Sequence, residues 1–134
     1  MPIFRPSRIL RLMENTDLLG LSLAEVVSEL EAIYELSTDL LAASTADGKF
    51  KRVSRAWERV LGYTVEEMAG KPWLDFVHPD DVVKTIEAAR SMSATDLAEF
   101  TNRYKHKNGT WVTLSWRATA WSGGLTYSIA RIIP

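Results

Sequence analysis

The clearest hydrophobic pattern near the start of the chain has helical spacing. Apolar residues recur alternately every four and three positions, and Ser22-Leu23-Ala24-Glu25 fits a helix-capping box. The pattern predicts an amphipathic helix over residues 22–36. Its apolar stripe consists of Leu19, Leu23, Val26, Leu30 and Ile33. Two heptads suit either a dimer helix or a helix packed on its own domain, and the pattern leaves both interpretations open.

The next segments combine strand patterns with turn and cap residues. A turn signal, Ala46-Asp47-Gly48, separates strand-like runs at 40–45 and 50–54, which predicts a hairpin. Ser54 is expected to cap a short helix that ends at Gly62. Thr64-Val65-Glu66-Glu67 is a second capping box, and Pro79 begins a helix that extends to about residue 92.

The C-terminal part, residues 99–131, predicts a meander of three antiparallel strands. Asn108-Gly109 is expected to form a two-residue turn, which pairs Tyr104 with Thr113 and Asn102 with Ser115. The more apolar face of the middle strand is then formed by Val112, Leu114, Trp116, Ala118 and Ala120. The order of helices and strands along the chain predicts an α+β domain in which helices cover the sheet.

Composition limits the class of protein. The chain has 134 residues, 46% of them hydrophobic, which is enough for one domain with a core. A net charge of −1 gives no field that favours nucleic acid, and no apolar run reaches the roughly 20 residues of a membrane span. Residues 1–21 are expected to be poorly ordered or to depend on a partner.

The residue types of an active site are sparse. The two histidines, His78 and His106, have no second histidine or cysteine at ligand spacing, and Asp80 and Asp81 are adjacent rather than facing. The segment from His78 to Asp81 is better explained as a helix start than as a metal corner. We therefore assign no catalytic and no metal residue, and we expect a domain that is not an enzyme.

Five sequence motifs, in this order and spacing, resemble the PAS domains of bacterial sensor histidine kinases and diguanylate cyclases. The motifs are WERVLGY at 57–63 followed by T-x-E-E-x-x-G, W-x-x-F-V-H-P-D-D at 73–81, N-R-Y-K-x-K-N-G at 102–109, L-S-W-R-A at 114–118 and L-x-Y-x-x-A-R at 125–131. The resemblance implies a PAS domain over 37–134, preceded by the amphipathic helix. It implies a five-stranded antiparallel sheet with helices on one face.

The resemblance also implies a function. It suggests a cytoplasmic sensory or regulatory module of a bacterial signal-transduction protein, acting as a homodimer on a linked or separate effector. The resemblance leaves open whether a small molecule binds or whether large residues fill the core. By alignment, the pocket candidates are Phe76, Ile86, Tyr104, Trp116 and Tyr127. Two alternatives remain: a ligand-free interaction scaffold with a filled core, and a small enzyme of the α+β-cone type.

Known PAS cofactors can be tested against the residues. The chain has no cysteine, which excludes the covalent flavin and thioester chromophore chemistries of PAS photoreceptors. Haem-binding relatives use a histidine in the long helix before the meander, and residues 79–92 contain none, so haem is disfavoured. No cofactor is identifiable from the sequence.

Three positions depart from the family pattern. Ile132-Ile133-Pro134 stands where such domains carry Asp-Ile-Thr, whose aspartate couples the sheet to a signalling helix. Either an effector lies beyond the last residue given or the usual output connection has been lost. Thr113 and Ala120 replace the tryptophan and proline of close relatives, and both changes are expected to alter packing and keep the fold.

Overall fold

The computed structural model describes residues 22–134. The strands are β1 (Leu40–Thr45), β2 (Phe50–Val53), β3 (Leu97–Lys105), β4 (Trp111–Ala118) and β5 (Leu125–Ile132). The α-helices are α1 (Leu23–Leu36), α2 (Ala56–Leu61), α3 (Val65–Met68) and α4 (Val82–Ser91). Two 3₁₀ helices, Trp73–Phe76 and Pro79–Asp81, precede α4. All strand pairs are antiparallel, in the order β2-β1-β5-β4-β3, so the predicted α+β class and five-stranded sheet are confirmed.

Most local signals act as the sequence predicts. The Ser22 hydroxyl accepts a hydrogen bond from the Glu25 amide, and Thr64 and Glu67 form a complete capping box. Gly62 ends α2 with φ at 84°, a left-handed conformation that glycine adopts without steric cost. The predicted Ser54 cap is wrong. The Ser54 hydroxyl instead accepts a hydrogen bond from the Leu41 amide at 2.9 Å. This bond connects β1 to the segment just before α2.

The predicted register of the β3–β4 hairpin is wrong by one residue. His106 and Thr110 are bonded across a loop of three residues, in which Gly109 has φ at 94°. Asn102 therefore pairs with Leu114, and Tyr104 pairs with Val112. A one-residue slip moves side chains to the other face of the sheet, so Asn102 and Tyr104 share the core face with Trp116.

An aromatic cluster fills one side of the core. Trp57 is fully buried, and its indole donates to the Leu41 carbonyl at 2.9 Å. Its ring centroid lies 5.5 Å from Phe50 and 5.8 Å from both Tyr104 and Trp116. These tilted and edge-on pairs suit the charge distribution of aromatic rings and lock the helical segment onto the sheet.

Helix α1 forms within the bounds that the pattern predicts and meets the domain at its C-terminal half. Arg52 lies 4.7 Å from the centre of the Tyr34 ring, and Arg55 donates to Glu35 at 3.0 Å. The predicted segment 1–21, and Leu19 with it, lies outside the described residues. Within 22–134, none of the helices combines the length and the apolar character that crossing a membrane requires.

Candidate functional site

A cavity of about 80 Å³ lies in the core between α4 and the inner face of the sheet. Helix α4 supplies Thr85, Ala88 and Ala89, and Met92 follows at its end. The side chains on the sheet and loop walls are Ser44, Phe50, Trp73, Leu97, Phe100, Asn102, Tyr104, Trp116, Ala118, Trp121, Thr126 and Ser128. None of these residues is charged at neutral pH.

Small side chains explain why space remains here. Ser128 pairs with Ala118 on one neighbouring strand and with Ala42 on the other. Three short side chains therefore lie side by side across the centre of the sheet. Ala88 and Ala89 face this region from the helix. Large residues surround the small ones, so space remains at the middle of the wall.

A buried polar network forms part of the cavity wall. Asn102 is 3% exposed, and its side-chain oxygen accepts from the Trp116 indole at 2.7 Å. Its amide nitrogen donates to the Thr85 hydroxyl at 3.2 Å, and Thr85 donates in turn to the Asp81 carbonyl at 2.7 Å. The network links β4, β3 and α4, so the cavity walls are held in one arrangement.

A second connection fixes the start of α4. The Asp81 side chain is 6% exposed and accepts three hydrogen bonds from Arg103: one from the backbone amide and two from the guanidinium. The guanidinium bonds are the main reason that the pKa of Asp81 falls to about 2. Asp81 therefore stays ionised near neutral pH and ties the helix to β3.

The structure brings two of the predicted pocket residues together at the cavity. Tyr104 and Trp116 both line it, with ring centroids 5.3 Å apart. Phe76 does not line the cavity. Its ring is stacked on the ring of Tyr104. Ile86 contributes to a separate, open groove beside Trp121 rather than to the cavity.

Tyr127 is placed differently from its prediction. Its neighbours Thr126 and Ser128 point into the cavity, and alternation along a strand turns Tyr127 to the other face. Tyr127 is 54% exposed there and pairs across β1 with Ala43, which also pairs with Arg52. Tyr127 belongs to the outer face of the sheet.

Sequence reasoning missed several lining residues. Trp121 closes one end of the cavity, where its indole donates to the Ala89 carbonyl at 3.1 Å. Ser44 and Ser128 lie opposite the helix on the core face of two neighbouring strands. Alternation with the exposed Tyr127 could have indicated Ser128, but a serine in a strand carries no signal for a cavity.

The remaining candidate groups lie elsewhere. His78 accepts from the Asp80 amide at 3.1 Å and His106 accepts from the Asn108 amide at 3.0 Å, so each caps a local turn. Neither lines the cavity. No group of three or more acidic or histidine side chains in residues 22–134 could hold a metal ion.

The predicted dimer stripe on α1 is mostly uncovered. Val26 is 7% exposed, whereas Leu23, Leu30 and Ile33 are 58%, 37% and 54% exposed. Leu36 at the end of the helix is 77% exposed. Uncovered apolar side chains at this spacing are typical of a surface that meets another protein chain.

Comparison with known proteins assigns the family. A family model described as PAS fold matches residues 50–129, and the chain belongs to this family. Basic helix-loop-helix ARNT-like protein 1 from Nannospalax galili is 28% identical over 99 residues, which cover 72% of this chain. The match covers 16% of that relative, so the chain spans only a small part of its length.

Solved structures agree with the fold. A domain of a sensory box sensor histidine kinase/response regulator from Geobacter sulfurreducens superposes with a TM-score of 0.68 and 22% identity, covering 82% of this chain and 96% of that one. Drosophila melanogaster Cycle PAS-B, solved with bound ethylene glycol, gives a TM-score of 0.60 and 17% identity, covering 70% and 97%. At these identities the likeness concerns the fold.

Proposed function

We propose that this domain is a sensory module of a signal-transduction protein, and that it binds a small molecule in the cavity between α4 and the sheet. The cavity itself carries the proposal, because it lies between α4 and the sheet and joins apolar walls to a few polar groups, as ligand sites do. The module is proposed to act in the cytoplasm on a linked or separate effector of the sensor-kinase kind. The presence of a sensor histidine kinase domain among the structural neighbours supports that setting.

A ligand in this cavity can affect the rest of the domain through the packing of α4 against the sheet. The cavity is bounded by α4 on one side and by residues of all five strands on the other. A molecule that contacts both sides changes the relative free energies of their packing arrangements, which is how a bound ligand shifts a conformational equilibrium. The ethylene glycol bound to Cycle PAS-B shows that a domain of this fold accepts a small polar molecule.

The proposed ligand is held without a covalent bond, because the chain contains no cysteine for a flavin adduct or a thioester. Haem and other large cofactors are not proposed, since the cavity of about 80 Å³ is far below the roughly 300–1,000 Å³ of drug-sized ligand sites.

Native mass spectrometry of the full chain tests the proposal. The protein is purified from cells without denaturation, and its mass is compared with the mass after unfolding. We expect an added mass that unfolding releases and that an Ala118→Leu variant, in which the cavity is filled, no longer retains. Bare mass for the wild-type protein, also after incubation with a small-molecule extract of the same cells, would contradict ligand binding.

A second function is favoured by the uncovered stripe of α1. We propose that this helix pairs with a second copy of the chain and thereby transmits the state of the module. Leu23, Leu30 and Ile33 supply the apolar contact, and Glu25 and Glu29 lie on its flanks.

Analytical ultracentrifugation tests this: we expect dimers at tens of micromolar protein, and a monomer at that concentration would contradict pairing. A domain that pairs but retains no ligand is the scaffold alternative.

A further inference from the structure

Three hydroxyl groups in the cavity wall have no hydrogen-bond partner within residues 22–134. They belong to Ser44, Tyr104 and Ser128, and Ser44 and Tyr104 are only 5% and 2% exposed. Every side-chain nitrogen or oxygen that is completely sealed in the described residues does have a partner. The three hydroxyls are therefore not sealed but border open space, and the space that they share is the cavity.

The neighbouring polar groups behave differently. Asn102 is bonded to both Trp116 and Thr85, and the Thr126 hydroxyl donates to the Thr119 carbonyl. These groups support the wall, and their hydrogen-bonding needs are met by the protein. The hydroxyls of Ser44, Tyr104 and Ser128 remain for whatever enters the cavity, because a buried hydroxyl without a partner raises the free energy of the folded state.

The charge of the wall restricts what can enter. Among residues 22–134, no lysine, arginine, histidine, aspartate or glutamate lines the cavity, so an ionic ligand would lose its hydration without gaining a counter-charge from this part of the chain. Burial raises the pKa of Tyr104, which keeps its hydroxyl protonated and able to donate a hydrogen bond. A ligand oxygen that accepts this bond is therefore favoured over a group that can only donate.

We infer that the cavity takes a small, uncharged molecule with a carbonyl or hydroxyl oxygen. This oxygen bonds to hydroxyls from the set Tyr104, Ser44 and Ser128, and the apolar remainder of the molecule contacts Phe50 and Met92. This inference rests on the proposed ligand-binding function and names the chemical class of its ligand. The ligand is small, since about 80 Å³ is only several times the roughly 10–15 Å³ that a single water molecule needs.

The experiment compares four probes with the full chain by NMR: propanamide, propanoate and butylammonium, which are of similar size, and the smaller atom xenon. Propanamide is neutral and carries a carbonyl, the next two carry opposite charges, and xenon reports whether an apolar probe enters at all. We expect propanamide to shift the backbone signals of Ser44, Tyr104 and Ser128, and the two ions to leave them unchanged.

Two variants remove the hydroxyls and keep the shape of the wall. Tyr104→Phe and Ser44→Ala are each expected to weaken propanamide binding by about two- to tenfold, the usual effect of one hydrogen bond, and to leave xenon binding unchanged. Because neither hydroxyl bonds to another group within residues 22–134, the melting temperature of the unliganded variants should be unchanged or higher. Ser115→Ala, on the outer face of β4, is the matched control and should bind propanamide like the wild type.

The outcomes separate this inference from the function on which it rests. If xenon binds and propanamide does not, the cavity is still a ligand site, but the inference that its ligand carries a polar oxygen is refuted. Propanoate or butylammonium binding as tightly as propanamide would overturn the requirement for neutrality. Failure of all four probes would contradict ligand binding itself. Equal propanamide affinity in the wild type and both variants would overturn the role of the hydroxyls.

Discussion

Arg103 on β3 holds Asp81, the last residue before α4, through two nearly parallel hydrogen bonds. The Nε and Nη2 atoms of the guanidinium lie 2.9 and 2.8 Å from the two carboxylate oxygens, and the Arg103 amide lies 2.8 Å from Oδ2. Two-point contacts of this kind fix orientation as well as distance. The pair therefore sets where α4 begins, and with it the helical wall of the cavity.

The first prediction concerns this pair. Asp81→Asn removes the charge from a side chain that is almost fully buried, and we expect the free energy of unfolding to fall by about 1.5–3 kcal/mol. Urea denaturation followed by tryptophan fluorescence measures the change. Asp80→Asn is the control, because its carboxylate is exposed and the hydrogen bonds of Arg103 go to Asp81. Equal losses in both variants would contradict a special role for Asp81.

The same pair predicts the response to acid. The pKa of Asp81 is about 2 in the folded protein and about 3.9 in an unfolded chain, so its stabilisation is complete only above about pH 5. As the pH falls from about 5 to about 1, the unfolded state takes up the proton first and the stabilisation is progressively lost. Wild-type stability should therefore decline more steeply over this range than that of Asp81→Asn, and parallel curves would refute the assignment.

The second prediction concerns Asn102. Asn102→Leu leaves the Trp116 indole without a buried acceptor and removes the donor to Thr85, and we expect a loss of about 2–4 kcal/mol in the free energy of unfolding. A double-mutant cycle with Trp116→Phe measures the coupling between the two residues. A coupling energy near zero would mean that the hydrogen bond does not contribute to stability.

The third prediction uses two glycines with similar backbone angles. Gly62 and Gly70 have φ at 84° and 79°, so alanine is strained at both positions by about 1–2 kcal/mol. A Cβ at position 62 would also lie 3.1 Å from His106 and 3.3 Å from Lys107, whereas one at position 70 meets nothing within 4 Å. Gly62→Ala should therefore lower the melting temperature more than Gly70→Ala, and the reverse order would contradict the close packing of this loop.

The fourth prediction concerns the cavity. Ala118→Leu places a larger side chain in the unfilled centre, so we expect the melting temperature to be maintained and ligand binding to be lost. Arg117→Leu is the control on the opposite face of β4 and should retain the ligand. Retention of the ligand by Ala118→Leu, measured by native mass spectrometry, would place the binding site elsewhere.

The fifth prediction concerns α1. Ile33→Lys puts a charge into the uncovered apolar stripe and should weaken self-association by at least about tenfold, which sedimentation velocity can measure. Ser28→Lys adds the same charge at an exposed position off the stripe and should leave association unchanged. Deletion of residues 1–36 is expected to act like Ile33→Lys. Unchanged association in both would indicate pairing through the outer face of the sheet, where Tyr127 is exposed.

Much of the fold follows from signals within a few residues of each other. Helix α1 begins after Ser22 and α2 ends at Gly62 as predicted, because caps and glycine angles satisfy backbone groups locally. The hairpin shows the limit of such signals. Asn108-Gly109 marks the turn correctly, yet the loop contains three residues rather than two, and this one difference places Asn102 and Tyr104 on the face of Trp116.

The sequence by itself determined the class of the fold, the order and approximate positions of the helices and strands, and the family. Only the tertiary structure decided that small residues such as Ala118 and Ser128 meet Ala89 across the core and leave a cavity there. It also decided that Tyr127 faces outward and that the hydroxyls of Tyr104 and Ser44 have no hydrogen-bond partner in the described part of the chain. The physical reason is that capping and periodicity depend on neighbours along the chain, whereas a cavity depends on which side chains from distant strands face one another.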